Sequence, residues 1–76
     1  MKTVSISLNS IDKVKSFVND ITKFDYDFDL VSGRYVIDAK SIMGIFSIEL
    51  SKELKLIAHT DDAAELKEAI NEFIVK

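Results

Sequence analysis

The sequence predicts an α+β domain in which one antiparallel sheet carries both long helices on a single face. Three observations predict it. Short segments alternate polar and apolar residues or are rich in β-formers, as in Thr3-Val4-Ser5-Ile6-Ser7-Leu8 and Asp25-Tyr26-Asp27-Phe28-Asp29-Leu30. Two longer segments place apolar residues at helical spacing. The links between them are short, and the order is strand, helix, strand, strand, short helix, strand, helix. The alternation leaves one face of such a sheet polar and solvated.

Each element follows from its residues. Val4, Ile6 and Leu8 fall on one face of the first strand. Asn9-Ser10 supplies helix caps, and Asp12 suits the positive helix N-terminus. Ile11, Val14, Phe17, Val18, Ile21 and Phe24 then form the apolar stripe of a helix over residues 11–23. Tyr26, Phe28 and Leu30 line one face of the second strand. Ser32-Gly33 makes a turn, and Arg34-Tyr35-Val36-Ile37 returns as the third strand. Ser41-Ile42-Met43-Gly44-Ile45-Phe46 is a short apolar segment in which Ser41 caps a single helical turn. Leu54-Lys55-Leu56-Ile57-Ala58 is the fourth strand. Thr60-Asp61-Asp62 caps the last helix, with Ala63, Leu66, Ile70, Phe73 and Ile74 as its core stripe.

Composition narrows the function classes. A chain of 76 residues makes one domain with one core and no room for a large cavity. Its net charge of −3 gives nucleic-acid binding no electrostatic support. The absence of cysteine excludes disulfides, thiolate zinc sites and cysteine nucleophiles. The alternating Met1 to Leu8 stretch does not read as a signal peptide, and no run approaches the roughly 20 apolar residues of a membrane span. The expectation is a cytoplasmic protein, and no cofactor, metal or membrane contact is expected.

The segment Gly33-Arg34-Tyr35-Val36-Ile37-Asp38-Ala39-Lys40-Ser41-Ile42-Met43-Gly44-Ile45-Phe46-Ser47 resembles the signature of the HPr proteins. These are the small phosphocarriers of the bacterial sugar phosphotransferase system. The run Ala39-Lys40-Ser41-Ile42-Met43-Gly44 is its most specific part. Thr22-Lys23-Phe24, Leu56-Ile57-Ala58, Asp61-Asp62 and Glu65-Leu66 extend the resemblance over almost the whole chain. It implies the family's open-faced two-layer β-sandwich, βαββαβα, with a four-stranded sheet in the order one, four, two, three.

The departure comes at the start of the first helix. There the family carries its phosphorylated histidine, in a loop reading Gly-Leu-His-Ala-Arg-Pro. Phosphohistidine keeps a high transfer potential, the helix N-terminus offers donors to phosphate, and the arginine adds a cationic fork. Counting back from Phe24, Ser10 falls opposite that histidine and Asp12 opposite that arginine. Counting forward from the first strand, the loop is a few residues shorter. Nucleophile, cation and loop length are lost together, and a carboxylate in place of the arginine repels phosphate. A serine ester is a poor phosphoryl donor, so Ser10 reads as a helix cap.

Ser41 matches a serine that a dedicated kinase phosphorylates in some branches of the family, after which the protein binds a transcription regulator. A catabolite-repression branch keeps that serine and lacks the histidine. Ser41 is therefore expected as a regulatory phosphorylation site, against the simpler reading of a helix cap. Ile42, Met43 and Phe46 resemble the family's apolar docking surface, against the simpler reading of a turn packed on the sheet. His59, the sole histidine, reads as an exposed residue at a strand end, away from the lost site. Asp25, Asp27 and Asp29 read as a solvated sheet face and not as a calcium ladder.

The leading expectation is a regulatory, protein-binding member of the HPr family that does not carry phosphate on histidine. By resemblance its partners are a phosphotransferase-system enzyme, a serine kinase or a transcription regulator. The alternatives are a phosphocarrier using Ser10 or His59 as an unusual acceptor, and a domain whose partner lies outside sugar transport.

Overall fold

The protein is described by a computed structural model covering residues 1–48, 50 and 52–75. Its elements are β1 (Lys2–Ile6), α1 (Ile11–Ile21), β2 (Phe28–Ser32), β3 (Tyr35–Asp38), α2 (Ile42–Phe46), β4 (Leu54–Ala58) and α3 (Ala64–Ala69), followed by a 3₁₀ turn (Asn71–Phe73). The strands form one four-stranded sheet in the order β1-β4-β2-β3, and every neighbouring pair is antiparallel.

The register explains why the two faces differ. Val4 sits opposite Leu56, Ile6 opposite Leu54, Leu30 opposite Leu56, and Phe28 opposite Ala58. Directly opposed residues share a face, so these apolar side chains form one continuous layer, and all are buried. Val14, Phe17 and Ile21 of α1, Ile45 of α2, and Leu66, Ile70 and Phe73 near the end of the chain cover that layer. Phe17 and Phe73 meet edge to face, with ring centroids 5.6 Å apart at 88°. The other face carries Thr3, Ser5, Lys55, Ile57, Asp29, Val31, Val36 and Asp38 and stays open. No buried polar side chain among the described residues lacks a hydrogen-bond partner.

Several expected boundaries move. α1 stops at Ile21, because the Thr22 N–H donates to the Val18 carbonyl and the Thr22 hydroxyl donates to Asn19, closing the last turn. β2 begins at Phe28, three residues later than the alternation suggests. The Tyr26, Phe28 and Leu30 face nevertheless persists, because the Tyr26 ring stacks between Phe24 and Phe28 at 5.6 and 5.0 Å. The last helix is shorter than expected. Thr60 and Asp62 order the preceding turn, and the Asp62 carboxylate accepts the N–H of Ala64, but the cap position itself is Ala63. Phe73 lies in the 3₁₀ turn and Ile74 is extended, bridging antiparallel to Ile6. Ser7 donates to the Phe73 carbonyl and Val75 to that of Ser5. The end of the chain thus closes part of the outer edge of β1, a role that helical spacing hides.

Gly33 is the one residue of the described chain with positive φ, at +59°. It opens the two-residue turn between Ser32 and Tyr35, which face each other across the hairpin. Glycine at that position with a negative φ at the next is the sign pattern of a type II′ turn, whose twist matches the flanking strands.

Candidate functional site

Two helix ends carry the residues that the sequence singles out, and both are capped by serine. At α1, Ser10 adopts extended angles and its Oγ accepts the N–H of Lys13 at 3.2 Å. Its carbonyl takes the N–H of Val14. Ile11 and Asp12 follow, both exposed, and the Asp12 carboxylate stands in the first turn where the helix dipole favours it. Val14, one turn in, is the first residue of the stripe to be covered, so Ile11 is left 60% exposed and not in the core where spacing puts it.

At α2 the chain turns out of β3 at Asp38. Its carboxylate accepts the N–H of Lys40 at 2.9 Å, and its carbonyl accepts the N–H of Ser41 at 3.0 Å. The Ser41 Oγ then accepts the N–H of Gly44 at 3.2 Å. A Cβ added at Gly44 would stand 3.2 Å from that Oγ, so glycine leaves the cap hydroxyl its room. Lys40 ties this start to the turn that follows α1. Its Nζ donates to the Phe24 carbonyl at 2.7 Å and lies 5.5 Å from the centroid of the Phe28 ring.

One helical turn cannot bury all its side chains. Ile45 is fully buried, Ile42 is partly buried against the core, Phe46 is 39% exposed and Met43 is 76% exposed. Of the three residues expected to face a partner, Met43 and Phe46 stand at the surface and Ile42 is mostly an anchor. α1 and α2 pack against one another beside this surface. Gly44 also accepts the Ser47 hydroxyl through its carbonyl at 2.6 Å, which closes the turn.

His59 follows β4 at Ala58, which sits opposite Lys2. Ser10 follows the other end of β1, so the two lie at opposite ends of the sheet. His59 is exposed, as its strand-end position suggests, and it is also engaged. Its Nε2 meets Asp29 Oδ2 at 2.7 Å, and its N–H donates to the Asp27 carbonyl. Asp25 and Asp27 precede β2 and are not a ladder along it. No group of acidic or histidine side chains among the described residues is arranged to hold a metal ion. Burial, with the negative charges of Glu65 and Asp62, raises the pKa of the Tyr26 phenol above its ordinary value. Among the described residues no helix is long and apolar enough to cross a membrane.

A family model described as the PTS HPr component phosphorylation site matches residues 13–76. The chain belongs to the HPr family. The match starts at Lys13, just after Ser10. Among solved structures, the chain is similar to an HPr protein, HPr-C-His, from Thermoanaerobacter tengcongensis, at 30% identity and a TM-score of 0.78, covering 95% of this chain and 89% of that one. It is similar to phosphocarrier protein HPr from Bacillus anthracis at 27% identity and a TM-score of 0.71, covering 97% and 94%. It is also similar to the Bacillus subtilis catabolite repression protein Crh, described as a swapped dimer, at 26% identity and a TM-score of 0.65, covering 96% and 90%. HPr proteins are phosphocarriers and not enzymes, and the strand order expected from the resemblance is the order found.

Sequence reasoning missed two features of this region. Ile11 was readable as exposed only from its place as the first residue of α1, where no earlier turn helps to cover it. The His59–Asp29 contact needs the register of β4 against β2, which no local pattern carries.

Proposed function

We propose that this protein is a cytoplasmic, regulatory member of the HPr family that docks protein partners through α2 and does not carry phosphate on histidine. The observation that carries this reading is the start of α1. The position that the resemblance aligns with the phosphorylated histidine holds Ser10, whose hydroxyl is engaged as a cap. Asp12 follows where the family has arginine, and the sole histidine lies at the other end of the sheet. A serine ester at Ser10 would be a poor donor, and the Asp12 carboxylate would oppose an incoming phosphoryl group.

The second half of the reading concerns Ser41. Phosphate there adds about −1.5 to −2 charge at the start of a helical turn, where backbone N–H groups receive it. The added charge rims an apolar surface made of Met43 and Phe46. That combination suits a partner with an arginine beside a hydrophobic pocket, such as a transcription regulator. The serine kinase and the phosphotransferase-system enzymes are the other partners of this class.

A kinase of the family's type tests it with a defined partner. It is expected to phosphorylate the wild-type protein and leave Ser41→Ala unmodified. Met43→Ala and Phe46→Ala are expected to raise the KM for this protein as substrate with little change in kcat. Unmodified wild type, or modification of Ser41→Ala at the same rate, would remove Ser41 from the account.

A further inference from the structure

We infer that the free edge of β3 pairs antiparallel with β3 of a second copy of this chain, about a two-fold axis through Val36. The sheet has two outer edges, β1 and β3. The end of the chain closes part of the β1 edge, through Ile74 against Ile6 and the hydrogen bonds of Ser7 and Val75. Among the described residues nothing pairs with β3 on its outer side.

The backbone is set for this pairing. Ser32 and Tyr35 flank a two-residue turn, which makes them a hydrogen-bonded pair. Alternation then turns the Tyr35 and Ile37 groups toward β2, in phase with the Ala39 N–H that donates to the Phe28 carbonyl. It turns the N–H and carbonyl of Val36, and the N–H of Asp38, outward. A two-fold axis at Val36 lets the two Val36 residues exchange both hydrogen bonds. It also brings the Asp38 N–H to the Arg34 carbonyl of the second copy.

The side chains of β3 match themselves in this register. Val36 stands opposite Val36, Tyr35 opposite Ile37, and Arg34 opposite Asp38. Tyr35 and Val36 are 65% and 62% exposed, which is costly for a lone aromatic and a lone β-branched side chain and useful for cross-strand pairs. Among the described residues no hydrogen bond or ion pair engages the Arg34 guanidinium. Asp38 has Asp29 directly opposite it across β2, a like charge on the same face, and Asp29 is already held by His59. An arginine from a second copy supplies the opposite charge that Asp38 lacks. The adjacent register, with Val36 opposite Asp38, would set a carboxylate against an apolar side chain and leave Arg34 unmatched.

Edge strands that avoid self-pairing use proline, bulges or charges that repel. This chain has no proline, and the two charges that flank Val36 attract in the two-fold arrangement. β3 is only four residues long, so the association is weak and follows concentration.

Sedimentation equilibrium of the full chain from micromolar to millimolar protein is the test. The wild-type mass is expected to climb from monomer toward dimer. Val36→Pro removes an outward N–H that the monomer does not use, and is expected to stay monomeric with a near-unchanged melting curve. Arg34→Glu is expected to raise the dissociation constant about tenfold, and adding Asp38→Lys to it to restore most of that loss. The Asp38 change also removes the turn bond to Lys40, which affects melting and not the pairing register. A wild type that stays monomeric throughout overturns the inference. So does a dimer that survives Val36→Pro, which would point to another surface or to strand exchange. If Val36→Pro fails to fold, the charge pair decides alone, and a failure of Asp38→Lys to rescue Arg34→Glu overturns the inference.

Discussion

The starts of α1 and α2 are the same device in different settings. Each is an extended serine whose Oγ accepts the N–H three residues on, at 3.2 Å in both cases. Around Ser10 lie a carboxylate and the first turn of an eleven-residue helix with a buried stripe. Around Ser41 lie a five-residue turn, a glycine against the cap hydroxyl, one buried isoleucine and two exposed apolar side chains. Cap geometry therefore does not tell the two serines apart. The difference lies in what the following turn offers to solvent: Ile11 beside the Asp12 carboxylate at α1, and Met43 with Phe46 and no acidic residue at α2.

The largest expected effect separates inward from outward within α2. Ile45→Ala removes a fully buried side chain and is expected to cost about 2–5 kcal/mol, whereas Met43→Ala is expected to stay within about 0.5 kcal/mol. Denaturant melts of the two variants check this, and equal losses would make Met43 a core residue and remove the docking surface. Next come the caps. Ser10→Ala and Ser41→Ala are each expected to cost about 1 kcal/mol, since each deletes one equivalent bond. Similar melting losses with loss of kinase modification only in Ser41→Ala would confirm that the two ends differ in surroundings and not in geometry.

A smaller effect lies in the aromatic cluster of Phe24, Tyr26 and Phe28. The Tyr26 pKa is raised, first by burial and then by Glu65 and Asp62, so the folded state holds that proton more firmly than the unfolded chain. Its contribution is fully present below the ordinary tyrosine value of about 10 and is lost as pH rises through the raised value. Stability measured on either side of that range is expected to fall less steeply for Tyr26→Phe than for wild type. An unchanged alkaline slope would place the loss elsewhere. The smallest expected effect is that of Ser10→His. Restoring the nucleophile alone leaves Asp12 in place and the loop short, so phosphoryl acceptance from the phosphotransferase system is expected to remain absent.

Much of the fold was legible because the periods were clean. Leu54–Ala58 was read at its observed limits, and the strand order followed from the resemblance around Ala39-Lys40-Ser41-Ile42-Met43-Gly44. Boundaries failed where tertiary contacts overrule spacing. Phe73 and Ile74 carry helical spacing, yet bonding to Ser5, Ile6 and Ser7 draws them into a 3₁₀ turn and a bridge. At the site, Ser10 and Ser41 were both legible as caps, because the preference is local. The division of Ile42, Met43, Ile45 and Phe46 between core and surface was not, because it depends on which side of one turn faces the sheet. The His59–Asp29 contact joins residues thirty positions apart, and only the β2–β4 register brings them together.

Whether this chain accepts phosphate is read from the intact mass of the wild-type protein after incubation with phosphoenolpyruvate and the first enzyme of the phosphotransferase system. An HPr protein with its histidine run alongside gains one acid-labile phosphate. This chain is expected to keep its unmodified mass under the same conditions. A labile phosphate on this chain, whether mapped to Ser10, His59 or another residue, would contradict it.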